Sequence, residues 1–270
     1  VAAPTEGRGE VPYLVPDHPS EVDRLDLQHY AFREAVGTNR LAPLVAPARI
    51  LDVGSGTGQW GFEMCAEYPR ALVVGLDLAA CKPGAPAGHR CVRANLLDGL
   101  PFGDGRFDYV HQRMLFLAVP VRAWPSLARE LLRVTRPGGW IELVETPFMG
   151  FDNAGPAFGR LRELAVRAAA PRGLDTTGAV FRGLDHYLRD AGVVDVWRRE
   201  FALPVGSWGG RVGSLMATDC RSGFTRFLEA MDTLDAGERH DLLQRVQDEY
   251  EERRVTSTVA VAFGRRPGAG

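Results

Sequence analysis

Asp52, Gly54, Gly56 and Gly58 lie in the segment ILDVGSGTGQW, residues 50–60, directly after apolar Ile50, Leu51 and Val53. Glycine inside a strand or helix costs roughly 0.5–1 kcal/mol relative to alanine. A run of glycines behind a buried strand therefore needs a reason, and a ligand that must approach the backbone closely supplies one. The spacing is D-x-G-x-G-x-G. A dinucleotide needs G-x-G-x-x-G, with its pyrophosphate on a helix N-terminus. An acidic side chain two residues before the first glycine repels a pyrophosphate and welcomes an ammonium group. The loop suits a ligand carrying a zwitterionic amino acid.

Further chemistry is placed at strand ends. Asp77 closes VVGLDL, where a carboxylate can accept both hydroxyls of a ribose. Asn95 and Leu96, in VRANLLDGLPF, read either as an adenine partner with an apolar plate or as a turn Asn and a core Leu. His111, Gln112 and Arg113 end the strand FDYVHQR near the same edge, and Glu145 ends GGWIELVE. His111, Glu145 and, from the N-terminal segment, Tyr13 are the candidates for moving an acceptor proton. His29 belongs to the same segment. Arg24, in VDRLDLQH, reads either as a partner for a cofactor carboxylate or as one half of an ion pair on a helix surface.

The elements that position these residues alternate. ARILDVGSG, ALVVGLDL, HRCVRANLL, FDYVHQR and GGWIELVE read as strands, and GQWGFEMCAEYP and WPSLARELLRVT as helices. That rhythm predicts an α/β fold, a Rossmann-like doubly wound sheet of seven strands. After Glu145 the rhythm breaks. Residues 148–180 read as a helical insertion over the ligand edge, with Phe148, Met149, Phe151 and Phe158 able to line a lid. FRGLDHYLRDAG is a helix, VVDVWRREFALPVG a strand, and AGERHDLLQRVQDEYEERR a long polar-faced helix. TSTVAVAFGRR alternates as an exposed edge strand would. SWGGRVGSLMATD, with Trp208 before two glycines, reads as a loop at the pocket or an oligomer contact. Residues 1–40 form an N-terminal helical lid segment and 41–270 the main domain. The first ten residues and RRPGAG at the end read as frayed.

Composition narrows the function classes. The 270 residues are 45% hydrophobic and 24% charged, ordinary for a globular protein with a core. A formal charge of −2, with Lys82 the only lysine, gives no field for nucleic acid or an anionic membrane. Cys65, Cys81, Cys91 and Cys220 form no CxxC pair and read as reduced thiols of a cytoplasmic protein. The scattered histidines carry no metal-binding spacing, so no metal is expected.

ILDVGSGTG, VVGLDL, LPFGDGRFDYVHQR and LLRVTRPGGWIELVE occur in the order found in class I S-adenosylmethionine-dependent methyltransferases, which residues 48–146 resemble. EVDRLDLQHYAF is similar to the N-terminal segment of a subgroup that includes bacterial secondary-metabolite methyltransferases and fungal regulators of the LaeA type. The resemblance implies S-adenosylmethionine as cofactor and S-adenosylhomocysteine as product. It implies a mostly parallel sheet with an antiparallel last strand. It puts Asp52 and Gly54 at the methionine amino group, with Ser55, Gly56, Gly58 and Trp60 completing the loop. Asp77 and Leu78 go to the ribose side, Asn95 and Leu96 to the adenine, and Gln112 or Arg113 to the methionine tail. Asn95 departs from the Asp common at the adenine position. The expected partner is a small-molecule acceptor, a specialised metabolite as in antibiotic biosynthesis, and homo-oligomers stay open. Rival readings are a regulatory protein that keeps the cofactor fold, a non-methylating enzyme such as a cyclase, and an NAD-linked oxidoreductase.

Overall fold

The computed structural model describes residues 19–268 apart from 232; Tyr13 lies outside the described residues. In chain order the elements are α1 (Pro19–Val36), β1 (Arg49–Val53), α2 (Gln59–Glu67), β2 (Leu72–Asp77), β3 (His89–Arg93), β4 (Phe107–Arg113), α3 (Trp124–Val134) and β5 (Thr135–Glu145). There follow β6 (Phe151–Asp152), α4 (Pro156–Ala169), α5 (Ala179–Ala191), β7 (Val194–Pro204), α6 (Gly210–Met231), α7 (Ala236–Glu252) and β8 (Thr256–Arg265).

The main path of the sheet runs β3-β2-β1-β4-β5-β8, with β7 on the far side of β8. β1 to β5 pair in parallel, and β8 is antiparallel to both β5 and β7. The expected seven strands are present. The eighth, two-residue β6, pairs with Thr256 and Ser257 of β8 beyond the end of β5. β8 differs from its expected place. It is an internal strand, because its small Ala260 and Ala262 face the α3/α5 side while Val259 and Val261 face the opposite core, and all are buried. Alternation of small and branched apolar residues suits a strand covered on both faces as well as one at an edge.

Burial explains the layers. Ile50 points to one face beside Trp60, Met64, Val73 and Tyr109, and Leu51 and Val53 point to the other. There α3 and α5 supply Trp124, Leu127, Leu131, Val180, Leu184 and Leu188. α5, whose start falls at the end of the predicted insertion, is thus scaffold. The third cluster joins α1, α4, α6 and α7 to β8. SWGGRVGSLMATD is not a loop: from Gly210 it is α6, and Trp208 just before it donates to the Val205 carbonyl. α4 begins against α7, whose buried Glu249 accepts from the backbone of Ala157 and Phe158 at 2.7 and 2.9 Å. That satisfies donors every helix start leaves open. At the chain's end Arg266 is not frayed. Its guanidinium donates to the carbonyls of Leu132, Arg133 and Thr135 and closes the C-terminus of α3.

α1 lies across the carboxyl edge of the sheet and is tied down at several points. Arg24 meets Asp219 of α6 at 2.7 Å, and Gln28 donates to the same carboxylate at 3.2 Å. This pair is buried, with Arg24 and Asp219 at 7% and 5% exposure. Asp26 accepts from Thr57 at 2.7 Å and pairs with Lys82, which also donates to Gln59. Glu142 of β5 accepts from the backbone of Leu41 and Ala42 at 2.9 and 2.8 Å, anchoring the segment between α1 and β1.

The cysteine expectation needs correction. Cys81 and Cys91 form a disulfide, while Cys65 and Cys220 are buried free thiols. The physical reason is topological. β2 and β3 are parallel with no helix between them, so residues 78–88 run back along the sheet and carry Cys81 past Cys91. No described helix is long and apolar enough to cross a membrane.

Removing one member of a buried ion pair leaves the other uncompensated and typically costs several kcal/mol. Asp219→Ala is expected to lower stability by about 3 kcal/mol and to detach α1 from α6. Urea unfolding monitored with amide exchange over residues 19–36 checks both.

Candidate functional site

The order of strands reverses between β1 and β4, and open α/β sheets bind ligands at that switch point, outside the carboxyl ends. A cavity of about 870 Å³ opens there. One half is polar and walled by Asp52, the glycine loop, Asp77, Asn95 and Arg113. The other half is apolar, with Phe116, Phe148, Met149, Phe151, Phe224 and Phe227 in its wall.

The glycine loop has the form its composition requires. Gly54 and Gly56 stand at φ +74° and +53°, a region side chains rarely adopt. A Cβ on Gly54 would come within 2.4 Å of Leu115. The backbone N–H groups of Gly54 and Ser55 both donate to the Leu76 carbonyl, bending the chain across the end of β2. Ser55 Oγ finds no partner among the described residues. Asp77 accepts from Gly56 N–H at 2.8 Å and Ala79 N–H at 3.0 Å, so its carboxylate holds the loop's shape. Asn95 accepts from Leu97 N–H at 3.0 Å, and its amide still lines the cavity. Leu78 and Leu97, at 43% and 37% exposure, offer bare apolar surface on that side, beside half-buried Leu96.

Asp52 is 3% exposed, and its carboxylate lies 2.8 Å from His111 Nδ1. A carboxylate can only accept, so that nitrogen carries the hydrogen. His111 stacks on Trp60, ring centroids 3.9 Å apart. Trp60 is held in turn by a hydrogen bond to the Asn39 carbonyl. His111 is absent from the cavity wall and lies behind two of its residues, Asp52 and Trp60. It is a positioning group in this geometry and does not meet the requirement for a proton acceptor in contact with substrate. Gly58 begins α2, and Trp60 belongs mainly to the core under it.

Arg113 enters the cavity beside Asp52 and lies over the Phe32 ring at 5.8 Å. Among the described residues no carboxylate pairs with it. Burial pushes the pKa of its guanidinium down. Its guanidinium reaches His29 Nδ1 at 3.1 Å. Arg can only donate, so His29 accepts there and carries its hydrogen on Nε2, 3.3 Å from Glu63. Burial lowers the His29 pKa, which agrees with a neutral ring. Burial opposes the charge of Glu63, yet His29, Asn39 and Arg33 outweigh it and hold the carboxyl at about 2. Arg24 also reaches the cavity wall, already engaged with Asp219.

Gln112 and Glu145 lie behind the wall. Glu145 is fully buried and accepts from the backbone of Leu115 at 2.7 Å, from Phe116 at 3.3 Å and from the Gln112 side chain. This fixes residues 114–116 and forces Met114 into a left-handed conformation, φ +59°. Gln112 therefore faces Glu145, away from the position expected under a methionine tail, and Glu145 shapes a loop where a proton acceptor was expected. Burial raises the Glu145 pKa to about 8. Met114, like Met149 at φ +47°, strains its backbone to put sulfur and methyl into the cavity. Met149 was among the residues expected to line a lid, whereas no residue type announces Met114 in the sequence. Asp26, Lys82, Asp219 and α6 were likewise missed, because their places depend on how distant helices pack. For metals, one group among the described residues has its ligand atoms within 4.8 Å of one another, Cys81, His89 and Cys91, and the disulfide engages both sulfurs.

Comparison with known proteins agrees with this geometry. A family model described as Methyltransferase domain matches residues 50–139. Methyltransferase pytC of Aspergillus terreus is 30% identical over 237 residues, 82% of this chain and 71% of that protein. The chain belongs to the class I S-adenosylmethionine-dependent methyltransferases. This methyltransferase is also 32% identical over 207 residues to the secondary metabolism regulator laeA of Aspergillus flavus, spanning 54% of that longer protein. Among solved structures, it shares its fold with a putative sarcosine dimethylglycine methyltransferase from Galdieria sulphuraria, TM-score 0.51 at 13% identity, covering 96% and 94% of the two chains. Haemonchus contortus phosphoethanolamine N-methyltransferase 2 gives TM-score 0.54 at 14% identity, with 92% and 59% covered.

The raised pKa of Glu145 carries a sign for stability. Between about 4.5 and 8 the folded methyltransferase holds a proton there that the unfolded chain has released. The Glu145 contribution to stability is therefore full at low pH and is lost as pH rises from about 4.5 to about 8. Glu145→Gln is expected to flatten that part of the profile, measured as urea midpoints at pH 5.5, 7 and 8.5.

Proposed function

We propose that this methyltransferase transfers the methyl group of S-adenosylmethionine to a small apolar acceptor, such as a specialised metabolite, with residues 52–97 and Arg113 holding the cofactor. The observation that carries the reading is the two-ended cavity. A volume of about 870 Å³ lies near the upper end of the ~300–1,000 Å³ found for sites of one drug-sized ligand. A ligand with an amino acid at one end and an adenosine at the other matches the polar half group by group. Asp52 accepts its ammonium, and Arg113, with no carboxylate of the described residues as partner, pairs with its carboxylate. Asp77 accepts from its ribose hydroxyls. Asn95 bonds its adenine, and Leu78 and Leu97 lose their exposure against the ring.

When bound, the cofactor supplies a sulfonium methyl already activated for in-line displacement. The chain's own part is orientation and exclusion of water. The Glu145-held loop sets Leu115 against Gly54 and aims Met114 at the boundary between the halves. α1 and α6 close the apolar half, and their Arg24–Asp219 pair is the charged group in that wall. Asp219 is thus better placed than His111 or Glu145 to accept an acceptor's proton. The formal charge of −2 supports a small-molecule acceptor over a nucleic acid. Similarity to proteins named as regulators supports a second reading, in which the cofactor is bound and the output is regulatory.

S-Adenosylhomocysteine is expected to bind in the micromolar range by calorimetry. Asp77→Ala, which removes the ribose acceptor and the Gly56 contact, is expected to weaken it at least roughly tenfold, the equivalent of one charge-assisted hydrogen bond. NAD should give no heat. Mass-spectrometric screening of aromatic and apolar acceptors then detects a 14-Da gain. Binding with no gain on any acceptor favours the regulatory reading, and absence of binding contradicts both.

A further inference from the structure

We propose that Cys81–Cys91 is a thiol–disulfide exchange site that sets the affinity of the cofactor pocket; the claim rests on the cofactor placement proposed above. Cys81 lines the polar half of the cavity, and Cys91 on β3 faces solvent, where an external thiol can reach it. The bond closes a loop of sequence separation 10 that carries Lys82 and Pro83 into the cavity wall. Lys82, the residue after Cys81, connects three elements. Its backbone donates to Thr57 of the glycine loop, and its ammonium group reaches Asp26 of α1 and Gln59 of α2. Position and order of this loop therefore affect the cofactor wall and the helix that covers it.

The surroundings of the pair suit reversible chemistry. His89 is 3% exposed, with Nδ1 3.6 Å from Cys91 Sγ. Its ring is fixed edge-on to Phe62 and backs onto Gly61, where a Cβ would come within 2.6 Å of Nε2. A thiolate of an external dithiol attacks the exposed Cys91 Sγ, the S–S bond breaks, and Cys81 leaves with the electron pair and takes a proton. The second thiol of the dithiol then attacks its own sulfur in the mixed disulfide. Cys91 is expelled and takes a proton, and its S–H faces His89 Nδ1. The dithiol ends as a disulfide, and the protein pair has gained two electrons and two protons. With the cross-link gone, residues 78–88 regain conformational freedom that cofactor binding must remove again.

Affinity and redox state are then reciprocally linked. Calorimetry with S-adenosylhomocysteine on the air-oxidised protein, the same protein after dithiothreitol, and Cys91→Ser tests this, with thiols counted in each sample. Reduction and Cys91→Ser are each expected to weaken binding by roughly fivefold or more, with dithiothreitol having no further effect on the variant. Saturating ligand should lower the midpoint potential of the pair by about 20 mV for a fivefold effect. Equal affinity in all three samples, with thiol counts that show the bond closed and then open, overturns the proposal. So does finding no disulfide in the air-oxidised protein. Absence of binding in every sample contradicts the cofactor reading and, with it, the affinity claim. Amide exchange over residues 78–88 then reads the cross-link separately: faster exchange on reduction supports the exchange site, and unchanged exchange overturns it.

Discussion

A carboxylate buried without a partner is too costly to keep, and Asp52, 3% exposed at the end of β1, has to be kept. Its partner is His111 on the neighbouring strand, directly across in the parallel register. His111 can sit there only because Trp60 stacks flat on it, and Trp60 stays flat because Asn39 takes its N–H. The consequence is one fixed negative group at the switch point of the sheet. Arg113, two residues along β4 from His111, places a positive group beside it. Together they make a site with opposite charges side by side, which suits an amino-acid zwitterion and not a pyrophosphate.

The remaining parts of the site are held from behind. Glu145 never meets the cavity, yet it determines the path of residues 114–116, and it sets Leu115 against position 54, where the positive φ favours glycine. Glu63 and His29 orient Arg113 in the same indirect way. On the open side, α1 connects the glycine loop through Asp26, the 78–88 loop through Lys82, and α6 through Arg24. Two halves of one cavity are thereby closed by a single helix. A methyl transfer that depends on orientation and dryness needs little more from the protein.

Much of this was legible in the sequence where chemistry and local backbone coincide. Asp52, Gly54 and Gly56 could be read because strand–turn–helix geometry places them whatever the rest of the chain does, and Asp77 because it ends the next strand. The alternation through Glu145 likewise marked β1 to β5 and their helices. His111, Gln112 and Glu145 show the limit. Period-two reasoning puts them at the right edge but cannot say which face a neighbour will occupy: Gln112 and Glu145 pair behind the wall, and His111 backs Asp52 from behind it. β8 was misread as an edge because two-sided burial with alanines mimics it. The Arg24–Asp219 pair, separated by 195 positions, and the Cys81–Cys91 bond depend on tertiary packing with no local signature.

The central claim is that the polar end is built for an amino-acid zwitterion held between Asp52 and Arg113. Comparing the affinities of S-adenosylhomocysteine and 5′-methylthioadenosine, which lacks the amino and carboxyl groups, tests it most directly. Two charge-assisted hydrogen bonds predict a loss of roughly a hundredfold for the truncated ligand. Equal affinities would show that the adenosine alone is recognised and would contradict the account.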